Sequence, residues 1–381
     1  MVHLSTRSCY VFAGGGTGGH LTPGLALAAE ILERDPASRI VFVGSERPLE
    51  KKMVSGAGYE HYELPVDPPQ TILRHPFRFA WRFWRASRMA ESLVRREEPD
   101  AVIGLGGFAS VPTVLSASRL GRPTIILEQN AIAGRATRLL SRRTLPRTGG
   151  VVCAAFEGMG SQFLPEARVV VTGNPVRSAI ANLCRRNRPG KAASQNTLLI
   201  LGGSQGAESL NAAVADMLAR QQSPLAGWRI VHQTGAGQQQ SITLQYAAAG
   251  LNHVVEPFFD NLAEWYASAT LVISRAGATT LAELACAGCP AILLPYLQAV
   301  DNHQLANARV YESAGGAMIV EHDRLPSQTA DHLTSVVVAL SRDRLRRNAM
   351  RRAMLNLARP DATANVLKVL QSLTGGNKKE S

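Results

Sequence analysis

The 381-residue chain predicts an α/β protein made of two doubly wound domains. Three observations carry that expectation. Hydrophobic residues make up 45% of the chain and aromatics only 6%, with Ala and Gly prominent, a balance that suits helices layered on parallel sheets. The length accommodates two separate cores. A unit of strand, glycine turn and helix also opens each half: residues 9–13 before Gly14-Gly15-Gly16-Thr17-Gly18-Gly19, and residues 197–201 before Gly202-Gly203-Ser204-Gln205-Gly206.

Forty-one Lys plus Arg against 29 Asp plus Glu leave a formal charge of +12. The partner is therefore expected to be anionic, whether nucleic acid, an acidic membrane surface or a phosphorylated small molecule. Five scattered cysteines, Cys9, Cys153, Cys184, Cys286 and Cys289, read as free thiols in a reducing compartment. Cys286 and Cys289 have CxxC spacing, yet with no second pair and no histidine nearby they do not read as a zinc site. The apolar run at residues 9–13 is too short for a signal peptide, and no stretch approaches the roughly 20 apolar residues of a spanning helix. A cytoplasmic protein is expected, with any membrane contact peripheral.

Taken in order, Gly14, Gly16 and Gly19 satisfy GxGxxG between the first strand and a helix at residues 23–34. A nicotinamide dinucleotide fold next wants an acid at the tip of the second strand, but residues 40–43 end in Gly44-Ser45 with Glu46 displaced. His20, at the end of the glycine loop, is either a proton acceptor or a helix cap. Residues 71–90 alternate aromatics with arginines. On a helix, Leu73, Phe77, Phe79, Trp81, Phe83 and Trp84 spread over an arc of roughly 200°, flanked by Arg74, Arg78, Arg82 and Arg85. Part of that arc must pack inward; the rest suits the headgroup layer of anionic lipid better than a nucleic acid. A strand at residues 101–103 meets a second glycine turn, Gly104-Leu105-Gly106-Gly107. Another at 124–127 ends in Glu128-Gln129-Asn130, at the sheet edge where ligands bind, so Glu128 is a candidate acid or base, or a partner of the nearby arginines. Arg135, Arg138, Arg142, Arg143 and Arg147 form a second basic cluster.

A polar, basic stretch within residues 179–196 reads as the linker. Beyond it, strands are expected at residues 229–232, 252–255, 270–273 and 291–294, with a turn at 257–260 whose backbone can read a flat base. After Ser274-Arg275-Ala276-Gly277, helix formers run from Ala278 to Ala287 and stop at Gly288. No acid lies in that helix's first turn, so its amides and the hydroxyls of Thr279 and Thr280 suit a phosphate, and Glu283, four residues beyond Thr279, suits an attached ribose. The plainer alternative is an ordinary helix with a solvated glutamate. Gln304 and Asn307 share a helix face and suit sugar hydroxyls.

Laid out in this order, the glycine turns, Glu128-Gln129-Asn130, Gly173-Asn174-Pro175-Val176-Arg177 and Arg275-Ala276-Gly277-Ala278 closely resemble the MurG family, from about residue 11 to residue 364. The family transfers N-acetylglucosamine from UDP-N-acetylglucosamine to lipid I, undecaprenyl-pyrophosphoryl-N-acetylmuramoyl-pentapeptide. The resemblance implies a GT-B fold, two Rossmann-like doubly wound domains with an interdomain cleft: residues 1–178 facing acceptor and membrane, residues 197–359 holding the donor, and a last helix, 360–375, packing back on the first domain. It implies donor contacts at Thr17, Gly18, Gly19, Asn130, Arg177, Ser204, Phe259, Ala278, Thr279, Thr280, Leu281, Ala282, Glu283, Gln304 and Asn307. It also implies membrane contact through Ile72, Leu73, Phe77, Trp81 and Trp84. An inverting transfer is expected, with His20 as base and Glu128 as the alternative. The implied partners are UDP-N-acetylglucosamine, lipid I, the anionic inner face of the cell membrane and other cell-wall synthesis proteins, with no nucleic acid. No cofactor is called for, and the chain has no Asp-x-Asp pair to carry a metal. Three departures stand out: Phe108 in place of a tyrosine, Leu127 in place of a histidine, and one extra residue between Pro295 and Asp301. A non-catalytic sugar-nucleotide subunit, a diacylglycerol glycosyltransferase and a UDP-sugar 2-epimerase are the competing expectations.

Overall fold

A computed structural model describes residues 7–16, 18–186, 195–203, 207–219, 225–296, 302–321 and 326–375. The chain divides into two compact units, Met1–Arg177 with Asp361–Ser381, and Ser178–Pro360.

The first unit is a seven-stranded sheet of β1 (Cys9–Gly14), β2 (Arg39–Ser45), β3 (Glu60–Leu64), β4 (Ala101–Gly106), β5 (Thr124–Glu128), β6 (Val151–Ala154) and β7 (Arg168–Val171), in the order β3-β2-β1-β4-β5-β6-β7. Every pairing is parallel. Parallel strands covered on both faces read as unbroken apolar runs, and β4, β5 and β6 are buried along their whole length. Successive side chains still divide between the faces. Phe12, Phe42, Ile103 and Ile125 enter one core, Val11, Val41, Val102 and Ile126 the other. The first core is completed from the far end of the chain: helix Ala362–Thr374 packs beside helix Gly18–Arg34 and contributes Val366, Leu367, Val369 and Leu370.

The second unit is a six-stranded parallel sheet of β8 (Thr197–Leu201), β9 (Arg229–Gln233), β10 (Asn252–Glu256), β11 (Leu271–Ser274), β12 (Ala291–Leu293) and β13 (Ala317–Ile319), in the order β10-β9-β8-β11-β12-β13. In both sheets the order reverses beside the first strand, at β1/β4 and at β8/β11, which creates a ligand-binding switch point in each.

Two expected boundaries move. The first helix starts at Gly18, not residue 23, so His20 lies in its opening turn, where the Thr22 hydroxyl donates to the Gly18 carbonyl at 2.9 Å. The stretch read as linker begins as a helix, Ser178–Arg185, because Ile180 and Ala181 bury against the second unit, where this helix packs on helix Ala278–Ala287. Residues 187–194 lie outside the described residues. Among the described residues no helix is long and apolar enough to cross a membrane.

Candidate active site

The carboxyl ends of β1 and β4 bring the first two glycine turns into contact. A Cβ on Gly14 would lie 2.7 Å from the Gly106 carbonyl oxygen, and one on Gly107 would lie 2.7 Å from that of Gly15. Both glycines also have positive φ, 143° and 71°, so only glycine allows this approach.

Glu50, from helix Pro48–Gly56, holds the first turn. Its buried carboxylate accepts the Gly16 N–H at 2.6 Å, the Ser45 N–H at 2.7 Å and the Ser45 hydroxyl at 2.6 Å. A Cβ on Gly15 would lie 2.2 Å from its Oε2. The amide that a dinucleotide phosphate would use is thus already bonded to a carboxylate, which works against a phosphate at this turn. Sequence reasoning missed Glu50, since nothing in its surroundings marks it as buried.

His20 reaches over the second turn. Its Nδ1 lies 3.2 Å from Gln129 Oε1, and the same amide's Nε2 donates to the Leu105 carbonyl at 2.8 Å. Nε2 of the ring has no partner among the described residues. Glu128, the alternative base, is differently placed. It is buried, with Oε1 accepting from the Asn130 N–H at 3.0 Å and from Asn130 Nδ2 at 3.3 Å, and Oε2 accepting from the Gly134 N–H at 2.9 Å. These bonds close the loop after β5 and set the Asn130 side chain. Three of the Glu128 acceptor positions are thus taken by donors of its own loop. Gly18 and Gly19 open the helix beside His20; Thr17 lies outside the described residues. Of the two departures nearby, Leu127 belongs to the core, and Phe108 packs at 5.5 and 5.6 Å against Phe79 and Phe83.

In the second unit, a single buried amide ties two turns together. Gln233 Nε2 donates to the Gly203 carbonyl at 3.3 Å, and its Oε1 accepts the Phe259 N–H at 3.2 Å. The Phe259 ring is buried against Trp265 and its N–H is held by Gln233, so neither is offered to a ligand. Beside it, His232 Nε2 donates to Asn211 Oδ1 at 3.1 Å, and its Nδ1 accepts from the Tyr246 hydroxyl at 2.7 Å. Burial pushes His232 down to about 3, so it stays neutral and serves as a brace. Ser204 lies outside the described residues.

Helix Ala278–Ala287 has Gly277 at its N-cap, no side-chain cap and no acid in its first turn. Its first bond runs from the Leu281 N–H to the Gly277 carbonyl at 3.0 Å. The amides of Ala278, Thr279 and Thr280 precede that bond, at the end of the helix where the dipole is positive. One turn on, buried Glu283 accepts the Tyr266 hydroxyl at 3.0 Å through Oε2. Leu281 belongs to the core, so the side-chain contacts of this segment fall to its neighbours, with Ala282 only partly buried. Arg275 donates to the Leu294 carbonyl at 3.0 Å and to the Ser209 hydroxyl at 2.6 Å; burial lowers it to about 10, which leaves it cationic at neutral pH. Asn307 is fully buried and donates to the Ala276 carbonyl at 3.3 Å, so it shapes the turn. Gln304, half-buried, accepts the Tyr296 N–H at 2.9 Å, and its amide NH2 has no partner among the described residues. Half-buried Arg177 ends the main segment of the first unit. Cys286 and Cys289 are buried, and burial pushes both thiols up to about 12, out of reach of ordinary thiolate chemistry.

Helix Pro76–Glu97 sorts its aromatics by depth. Phe79 and Phe83 turn toward Phe108, whereas Phe77 is 90% exposed, Trp84 61% and Trp81 55%. Ile72 and Leu73, in the preceding turn, are also exposed. The basic flank is thinner than the sequence suggests. Asp67 pairs with Arg78 at 3.5 Å and with Arg82 at 3.2 Å, and Arg82 also pairs with Glu46. Arg85 instead lies over the Trp81 ring at 5.6 Å.

Two Rossmann-like parallel sheets, each with its switch point, and a helix N-terminus followed by a buried glutamate define a glycosyltransferase of the GT-B class. The glycosyltransferase family 28 N-terminal domain matches residues 10–145, and the family 28 C-terminal domain matches residues 197–366. Among curated relatives, the UDP-N-acetylglucosamine--N-acetylmuramyl-(pentapeptide) pyrophosphoryl-undecaprenol N-acetylglucosamine transferase of Anaeromyxobacter dehalogenans is 37% identical over 375 residues, 95% of this chain and 92% of the relative. The enzyme of the same name from Nitratidesulfovibrio vulgaris is 38% identical over 381 residues, 95% of this chain and 96% of the relative. The crystal structure of Acinetobacter baumannii MurG superimposes with a TM-score of 0.72 at 28% identity, covering 96% of this chain and all of that one. The chain belongs to the family 28 glycosyltransferases and, within them, to the MurG family.

Proposed function

We propose that this enzyme transfers N-acetylglucosamine from UDP-N-acetylglucosamine to the 4-hydroxyl of the N-acetylmuramic acid of lipid I, with inversion, forming lipid II for peptidoglycan at the cytoplasmic face of the cell membrane. The observation that carries it is the near-full-length similarity to relatives named for that transfer. The site residues support it chemically. His20 Nε2 takes the proton of the acceptor hydroxyl as it attacks the anomeric carbon. The departing UDP gains negative charge, which the amides of residues 278–280 stabilise as fixed donors. Glu283 accepts from the ribose hydroxyls, the Phe259 carbonyl reads the uracil, and the Gln304 amide donates to the sugar.

The test is transfer of labelled sugar to a short-chain lipid I analogue, beside a diacylglycerol acceptor and an acceptor-free control, each with and without chelator. Labelled disaccharide is expected only with the lipid I analogue. Donor binding without transfer to any acceptor would overturn the reading.

Glu283→Ala is expected to raise the donor KM about 10-fold or more, the scale of losing hydrogen bonds to a charged acceptor. Tyr266→Phe, which keeps the carboxylate and removes only the hydrogen bond from the hydroxyl, should cost less. Unchanged UDP affinity in the Glu283 variant, measured by calorimetry, would remove its ribose role.

The membrane contact rests on the exposed row of Ile72, Leu73, Phe77, Trp81 and Trp84 beside exposed Arg74 and Arg85. The triple change Phe77→Ser, Trp81→Ser, Trp84→Ser is expected to release the protein from anionic vesicles in sedimentation while sparing transfer to a water-soluble acceptor. Persisting vesicle binding by the folded variant would refute the assignment.

A further inference from the structure

We infer that Gln129 is the positioning residue that makes His20 a competent base, by holding its proton on Nδ1; the inference rests on the proposed role of His20. The argument is one of donors and acceptors. The Leu105 carbonyl can only accept, so the Gln129 group 2.8 Å from it must be the amide NH2. The amide oxygen therefore faces Nδ1 of His20 at 3.2 Å, and it too can only accept. Nδ1 must carry the hydrogen. In the neutral ring this leaves the lone pair on Nε2, the nitrogen without a protein partner among the described residues.

The surroundings fit that task. Gln129 is 3% exposed, so water does not compete for its oxygen. A Cβ on Gly106 would lie 3.1 Å from Nδ1 and 3.5 Å from the Gln129 oxygen, so the glycine turn leaves room for this hydrogen bond. A neutral amide here fixes the tautomer without adding a charge beside the ring. The magnitude at stake is large: in a serine protease, the wrong tautomer of the base costs about 10⁴-fold in kcat.

The experiment combines histidine-selective ¹⁵N spectra with kinetics on the full chain, using His20→Gln to assign the His20 signals. In the parent enzyme near neutral pH, Nδ1 is expected as the protonated nitrogen and Nε2 as the bare one. Gln129→Met should release the proton to Nε2 in most molecules and lower kcat several-fold, in proportion to the fraction left in the competent tautomer, with the donor KM unchanged. Gln129→Glu keeps an acceptor against Nδ1 and stabilises the imidazolium. It should retain the parental tautomer while moving the acidic limb of the rate profile to higher pH. Folding of each variant is checked by thermal unfolding, and if the Met variant does not fold, the parental tautomer and the Glu variant's pH profile still decide.

A parental ring protonated on Nε2 would overturn the inference. So would a Met variant that loses rate with its tautomer unchanged, since Gln129 would then only be holding the loop. If His20→Ala turns over at the parental rate, the base assignment itself falls. That failure is read separately, because the tautomer is measured without turnover.

Discussion

Replacing His20 by alanine is expected to lower kcat by about 10²- to 10⁴-fold, the usual contribution of a positioned general base, while leaving UDP binding intact. The two halves of the prediction have separate structural grounds. His20 lies in the opening turn of helix Gly18–Arg34, and the helix contributes Leu21, Leu27 and Ile31 to the core beyond it, so alanine at this place removes the imidazole without disturbing the sheet. The helix start at residues 278–280, Glu283 and Gln233 belong to the other compact unit and keep their own hydrogen bonds. Single-turnover transfer and calorimetric binding of UDP, run on the same preparation, read both. Turnover within a few-fold of the parent would hand the proton to another acceptor. Glu128 is poorly suited to take it, since its oxygens already receive the amides of Asn130 and Gly134.

Deleting residues 361–381 is expected to unfold the first unit. Helix Ala362–Thr374 places Val366, Leu367, Val369 and Leu370 among Phe12, Leu21, Leu27 and Ile103 in the core on that face of the sheet. At about 1.5–3 kcal/mol per buried aliphatic side chain, their loss approaches the ~5–15 kcal/mol that holds a whole domain together. Stopping the chain after residue 375 is the matched control and should melt with the parent. Hydrogen exchange separates the outcomes: amides of β1, β4 and β5 should lose protection in the longer truncation, while those of β8 and β11 keep it. Retained protection in β1 would mean that the sheet is stable without its last helix.

Part of this was legible in the chain alone. The strands that meet glycine turns, β1, β4, β8 and β11, are unbroken apolar runs ended by residues that no helix or strand tolerates well, so their positions follow from local chemistry. Helix Ala278–Ala287, stopping at a left-handed Gly288, was readable for the same reason. Strands β3 and β13 were not. They lie at sheet edges, one reading Glu-His-Tyr-Glu-Leu and the other only three residues long, and each is extended because a neighbouring strand offers its backbone.

The sequence by itself determined the α/β class, the repeated glycine turns, the amphipathic arginine and aromatic helix, and the family, because each is written in contiguous residues. Tertiary structure alone decided which polar groups are available for chemistry. Glu50 meets Gly16 from 34 residues away, Gln129 meets His20 from 109, and Tyr266 meets Glu283 from 17. It also decided that Asp67 and Glu46 neutralise part of the basic flank. The physical reason is common to all of them: a buried donor or acceptor must find a partner, and that partner is whichever group the sheet order brings within about 3 Å, however far along the chain it lies.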